Sequence, residues 1–64
     1  MLSRRERYEA KKFGYTRVVW CRRPNGVPFH QAFIKTEDAE EFAKGVKASG
    51  GQVTMIETLY NELD

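Results

Sequence analysis

This 64-residue chain has few of the residues that cross-link or stiffen a small protein or that form a reactive centre. It contains one cysteine, one histidine and two prolines. Because Cys21 is alone, no disulfide can form within the chain, which favours a reducing, cytoplasmic setting. One cysteine and one histidine, His30, do not complete a zinc site, so we predict no metal and no cofactor. No apolar run approaches the ~20 residues needed to span a bilayer, and we expect no membrane partner.

A chain of this length also has little room for a substrate pocket of the usual ~300 Å³ or more. A thiolate next to an imidazole could act as a nucleophile, and Cys21 and His30 could be neighbours on adjacent strands. The simpler interpretation is a small apolar strand residue and a half-exposed histidine. We therefore expect no catalytic residues and a protein that is not an enzyme.

What the chain does have is charge, and it is unevenly distributed. Residues 1–35 carry nine Lys and Arg against two Glu, a net of +7, whereas residues 36–64 carry two Lys against seven Asp and Glu, a net of −5. A basic half attracts phosphates or an acidic protein surface, and an acidic half repels phosphates. The expected partner is therefore nucleic acid or an intracellular protein.

The spacing of Ser3 and Glu6 is that of a capping box and predicts a first helix from Arg4 to about Phe13, closed by Gly14. The alternative for residues 1–14 is a frayed basic tail. A second helix is predicted from Glu37 to about Ser49, capped by Thr36. Its apolar stripe has the spacing i, i+3, i+4 and i+7, at Ala39, Phe42, Ala43 and Val46.

Strands are predicted over residues 15–22, 29–35 and 52–59, which are rich in β-branched and aromatic residues. Asn25-Gly26 between the first two indicates a hairpin with a two-residue type I′ turn. That turn sets the cross-strand pairs, which are Trp20 with Gln31, Val18 with Phe33, Arg22 with Phe29, Cys21 with His30, Val19 with Ala32 and Arg17 with Ile34. On the third strand, the alternation of side chains puts Val53, Met55 and Leu59 on one face and Ile56 and Tyr60 on the other.

These elements predict a single α+β domain with the order α-β-β-α-β: a helix or tail at 1–14, a core at 15–60 and a polar tail at 61–64. The sheet order is expected to be 2-1-3, with the third strand antiparallel to the first and parallel to the second. The second helix is predicted to pack on one face of the sheet, over Val19, Cys21, Ala32 and Ile34. The other face would show Val18, Trp20, Phe29 and Phe33, either covered by Tyr8 and Phe13 or left for a partner.

On the first strand, Tyr15 and Trp20 are interleaved with arginines. This pattern suits nucleic acid, because arginine binds phosphates and guanine edges and aromatics stack on bases. Alternatively, Trp20 belongs to the core and the arginines are solvated. The candidate nucleic-acid-binding residues of the hairpin and N-terminal segment are Arg17, Trp20, Arg22, Arg23, Arg4, Arg5, Arg7, Lys11 and Lys12.

The stretches from Val19 to Gly26 and from Phe33 to Phe42 together resemble the small AP2-like arm-binding domains of phage integrases. The resemblance covers about Tyr15 to Val46. It implies a short antiparallel sheet that enters the DNA major groove, backed by a helix, with Arg17, Trp20, Arg22 and Arg23 at the DNA-facing positions. That family places three strands before its helix, whereas here the third strand follows it.

A second hypothesis is a small regulator, of the kind a phage or mobile element uses to bind and inhibit a host protein. Its contact residues would be aromatic anchors on the sheet or acids of the second helix, namely Trp20, Phe29, Phe33, Glu37, Glu40 and Glu41. Self-association into a homodimer is a third hypothesis, which a concentration-dependent melting temperature would reveal.

Overall fold

The computed structural model describes residues 2–59 and contains one three-stranded sheet and two helices. The elements are α1 (Arg4–Lys12), β1 (Arg17–Arg22), β2 (Pro28–Phe33), α2 (Thr36–Ala48) and β3 (Gln52–Thr58). The strand order is β2-β1-β3, and β1 is antiparallel to both neighbours. The predicted α+β class, element order and strand order are confirmed, whereas Tyr60 and the tail 61–64 lie outside the described residues.

The capping box at the start of α1 is present. The Ser3 hydroxyl accepts from the Glu6 amide at 3.2 Å, and the Ser3 amide donates to the Glu6 carboxylate at 2.9 Å. Gly14, with φ +88°, follows the last turn and allows the chain to leave the helix. Tyr8 and Phe13 are 67% and 73% exposed, so they do not cover the sheet. Neither α1 nor α2 is long and apolar enough to cross a membrane.

The hairpin turns where predicted, but its loop has three residues instead of two. The Gly26 amide donates to the Arg23 carbonyl at 2.8 Å, and the Arg23 amide donates to the Val27 carbonyl at 2.9 Å. A type I′ turn needs positive φ at both Asn25 and Gly26, whereas only Gly26, at +91°, has it. Pro24 favours this outcome because its fixed φ suits the second position of a type I turn.

The extra loop residue shifts the pairing of β1 with β2 by one, so the predicted register is wrong. Trp20 pairs with His30, and Cys21 pairs with Phe29. Since a one-residue slip moves every side chain of a strand to the other face, each side chain of β2 lies on the face opposite to the predicted one. Phe29 and Phe33 therefore lie on the α2 face, whereas Ala32 lies on the face that carries Trp20.

The main core lies between α2 and one face of the sheet. Val19 and Cys21 from β1 pack with Ala39 and Ala43 of α2, and all four are buried. Phe42 lies against two aromatic rings of β2, with centroid distances of 6.3 Å to Phe29 and 5.1 Å to Phe33. The predicted helical stripe is confirmed, and the small alanines let α2 approach β1 closely.

The predicted cap of α2 is wrong. The helix begins at Thr36, its N-cap is Lys35, and no side chain caps it. Glu37 and Asp38 in the first turn remain favourable there, because the helix dipole attracts anions at its N-terminus.

A β-bulge changes the faces of β3. Trp20 pairs with Met55, but the next residue of β1, Cys21, pairs with Val53, so Thr54 is an extra residue on β3. The Thr54 hydroxyl donates to the Trp20 carbonyl at 3.1 Å. Val53 therefore lies on the α2 face and Met55 on the face of Trp20, which corrects the prediction that they share a face.

Candidate nucleic-acid interface

The sheet face opposite α2 is organised around one buried carboxylate, Glu57. Its side chain is only 5% exposed and accepts three hydrogen bonds. Arg7 of α1 donates to Oε2 at 2.6 Å, and the Trp20 indole N–H and the Leu2 amide donate to Oε1 at 3.1 and 3.3 Å. Because a buried charge is costly unless it is paired, these contacts fix α1 and Trp20 relative to β3.

The Trp20 ring is also held from the side of β2. His30 stacks on it with a centroid distance of 4.4 Å and an interplanar angle of 30°. Trp20 is half-buried, and His30 is exposed. Side-chain contacts thus connect Glu57 of β3, Trp20 of β1 and His30 of β2 across the sheet.

The first turn of α1 contains Glu6, whose pKa is lowered chiefly by the backbone and side-chain hydrogen bonds with Ser3. Arg4, Arg5 and Lys12 are exposed on α1, whereas Arg7 and Lys11 are half-buried. The N-terminal candidates therefore include Arg7, which is bound to Glu57, and three exposed cations, Arg4, Arg5 and Lys12.

The four hairpin candidates do not form one surface. The register places Trp20 and Arg22 on the face of Glu57 and Arg17 on the α2 face. Arg23 lies on the α2 face as well, because it contacts the ring of Phe29. Arg23 is placed over the Phe29 ring at 4.7 Å, Arg22 donates to the Gly26 carbonyl at 3.0 Å, and Arg17 donates to the Thr16 carbonyl at 3.0 Å.

The candidate protein-binding surface is divided in the same way. Phe29 and Phe33 are half-buried against Phe42, on the opposite face from Trp20, so the three aromatics cannot anchor one partner together. The acids proposed for that surface, Glu37, Glu40 and Glu41, are exposed on α2.

Cys21 and His30 also lie on opposite faces, which corrects the predicted cross-strand pair and leaves no thiol next to an imidazole. Cys21 is 2% exposed, and its burial raises the pKa of the thiol. Among residues 2–59, no group of three His, Cys, Asp or Glu side chains comes together that could hold a metal ion.

The two helices lie on opposite sides of the sheet and carry net charges of opposite sign. Through Arg7, α1 is attached to the face of Glu57, and it carries five Lys and Arg against two Glu. The helix packed on the other face, α2, carries four Asp and Glu against two Lys. The charge asymmetry read along the chain is therefore also an asymmetry in space between the two helices, whereas Arg17 and Arg23 of the hairpin lie on the α2 face.

Sequence reasoning missed Glu57. A single acid between Ile56 and Thr58 in a strand has the pattern of an ordinary solvent-facing residue. Its burial depends on the bulge at Thr54 and on Arg7, fifty residues away in the chain. Neither the bulge nor the contact with Arg7 can be recognised from the residues that adjoin Glu57 in the sequence.

Comparison with protein-family models, with curated proteins and with solved structures found no significant match to this chain.

Proposed function

We propose that this chain is a small non-enzymatic module that binds nucleic acid through the side of the sheet that carries α1, Trp20 and Arg22. The observation that carries the proposal is the separation of charge between the two layers, since the cations of α1 and the acids of α2 lie on opposite faces. Phosphates would approach the α1 side, and the acidic α2 would repel them from the other.

The exposure and the face of each cationic side chain support a smaller set of nucleic-acid-binding residues than the sequence predicts. Arg4, Arg5, Lys12 and Arg22 are exposed and lie on α1 or on the Trp20 face, so they are proposed as phosphate contacts. Arg7 is proposed to position α1, because its guanidinium is bound to Glu57 at 2.6 Å. Arg17 and Arg23 lie on the α2 face and are proposed to be peripheral.

The test removes two positive charges from α1 in one variant and two from α2 in another. The variant Arg4→Ala/Arg5→Ala and its control Lys44→Ala/Lys47→Ala each lower the net charge by the same amount, on α1 and α2 respectively. We expect weaker binding of a labelled oligonucleotide for the α1 variant and little change for the control, measured by fluorescence anisotropy at low salt. Equal losses for both variants would contradict a defined binding side.

A second candidate is the binding of a host protein, supported by the exposed acids Glu37, Glu40 and Glu41 on α2. In that case Glu40→Lys/Glu41→Lys would abolish capture of a partner, and the α1 variant would not. The single buried cysteine supports a cytoplasmic site of action for either function, since it needs no oxidising compartment.

A further inference from the structure

We infer that the nucleic acid bound is single-stranded, and that one of its unpaired bases stacks on the outer face of His30, extending the Trp20–His30 stack to three rings. This inference rests on the proposed function and names the form of nucleic acid that the Trp20 face would take.

The position of His30 leaves one of its ring faces open. Trp20, on the central strand, covers the inner face at a centroid distance of 4.4 Å. His30 belongs to β2, which is an edge strand, so no further strand of the described chain lies beyond it. Its neighbours on this face of β2 are Pro28 and Ala32, whose side chains are short, and His30 itself is exposed. A flat ring can therefore approach from the sheet edge.

The Trp20 ring is contacted on both sides before any ligand binds. The Trp20 indole N–H is bound to Glu57 at 3.1 Å on the side of β3, and His30 contacts the ring on the side of β2. A platform held on both sides loses little conformational freedom on binding, so more of the stacking free energy is available for affinity. Stacking of a base on an aromatic ring tolerates any sequence, because every base has a π-face.

Charge on the same face would bind the backbone of the strand. Arg22 lies two residues along β1 from Trp20 and is exposed, and α1, which Arg7 attaches to Glu57 on this face, carries the exposed Arg4 and Arg5. An aromatic platform with cations around it is the combination used to bind single strands. The internal base pairs of a duplex cannot use this platform, because both faces of their bases are already stacked.

The experiment compares a labelled thymidine homopolymer, or its uridine counterpart, with a duplex of the same length at one low salt concentration. The variants are His30→Ala, His30→Phe and the control Gln31→Ala, which changes an exposed residue on the other face of β2. We expect His30→Ala to weaken single-strand binding by about five- to a hundredfold. It should leave duplex binding unchanged, whereas His30→Phe should retain single-strand affinity and Gln31→Ala should match the wild type.

Circular dichroism of each variant checks that the fold is retained. Equal effects of His30→Ala on single strand and duplex, or no effect on either, would overturn the stacking inference while leaving the proposed function in place. Absence of binding to both forms by the wild-type protein would overturn the proposed function, and the inference with it.

Discussion

The indole N–H of Trp20 donates to the carboxylate of Glu57 across 3.1 Å, from the central strand to an edge strand. The same carboxylate accepts from Arg7, which attaches α1 to the sheet. One side chain thus connects the aromatic platform with the helix that carries the exposed cations. Any change at Glu57 should affect stability and the proposed binding together.

Substitution of Glu57 by Ala removes the acceptor of three donors. Because Glu57 is buried but Arg7 is 37% exposed and can turn to solvent, we expect a loss of about 1–3 kcal/mol in the free energy of unfolding. Urea denaturation followed by Trp20 fluorescence measures it. The control is Glu9→Ala, whose pair with Arg5 is exposed and 3.7 Å long, and which should cost less than about 0.5 kcal/mol. Equal losses for the two variants would show that Glu57 has no special structural role.

Two glycines near the end of α2 should respond to alanine in opposite directions. A Cβ on Gly51 would lie 2.9 Å from both the Arg22 carbonyl and a Val46 methyl, so we expect Gly51→Ala to destabilise the protein by about 1–3 kcal/mol. Gly45 lies inside the helix with nothing within 4 Å of such a Cβ, and Gly45→Ala should stabilise by about 0.5–1 kcal/mol. Thermal melts of the two variants decide the signs, and an unchanged or raised melting temperature for Gly51→Ala would contradict the packing described at Gly51.

The Cys21 thiol should be protected in the native state. Burial raises its pKa, so the folded protein holds the thiol proton more tightly than the unfolded chain does. This contribution to stability is complete below the unfolded thiol pKa of about 8.5 and is lost as the pH rises through the higher folded value. We expect a disulfide reagent to label the native protein far more slowly than the urea-unfolded protein at the same pH. Comparable rates would mean that the region around Cys21 opens readily.

The Glu6 carboxyl should titrate below its ordinary range. Its pKa is lowered mainly by the hydrogen bond from the Ser3 amide and then by the bond with the Ser3 side chain. The contribution of the ionised carboxylate is therefore present above the unfolded pKa of about 4.3 and is lost as the pH falls through the lower folded value. Carbon-detected NMR titration should find the Glu6 midpoint below the unfolded value of about 4.3. A midpoint at or above that value would show that the capping box is absent in solution.

Much of the fold follows from local patterns in the sequence. The capping box at Ser3 and Glu6 and the stripe from Ala39 to Val46 predict the two helices, because helix signals depend on residues three and four apart. The β-rich segments on either side of Asn25-Gly26 predict the hairpin. Strand order follows from the short connections and the placement of α2.

The site was harder to predict, because strand register depends on single residues. One more residue in the loop, Pro24, moved Phe29 and Phe33 to the α2 face and put His30 next to Trp20. One bulged residue, Thr54, decided which residues of β3 face Trp20. Neither is recognisable from the periodicity of the strands, since the alternation looks the same in either register. The cationic residues could be identified from the sequence, but their division between the two faces could not.

The most direct test of nucleic-acid binding on the Trp20 face uses the single tryptophan. The protein is titrated with single-stranded DNA, RNA and duplex DNA while Trp20 fluorescence is followed at two salt concentrations. We predict a saturable change that weakens steeply at the higher salt, because phosphate contacts release counterions. No change in fluorescence, together with no change in the anisotropy of labelled nucleic acid, would contradict the proposal.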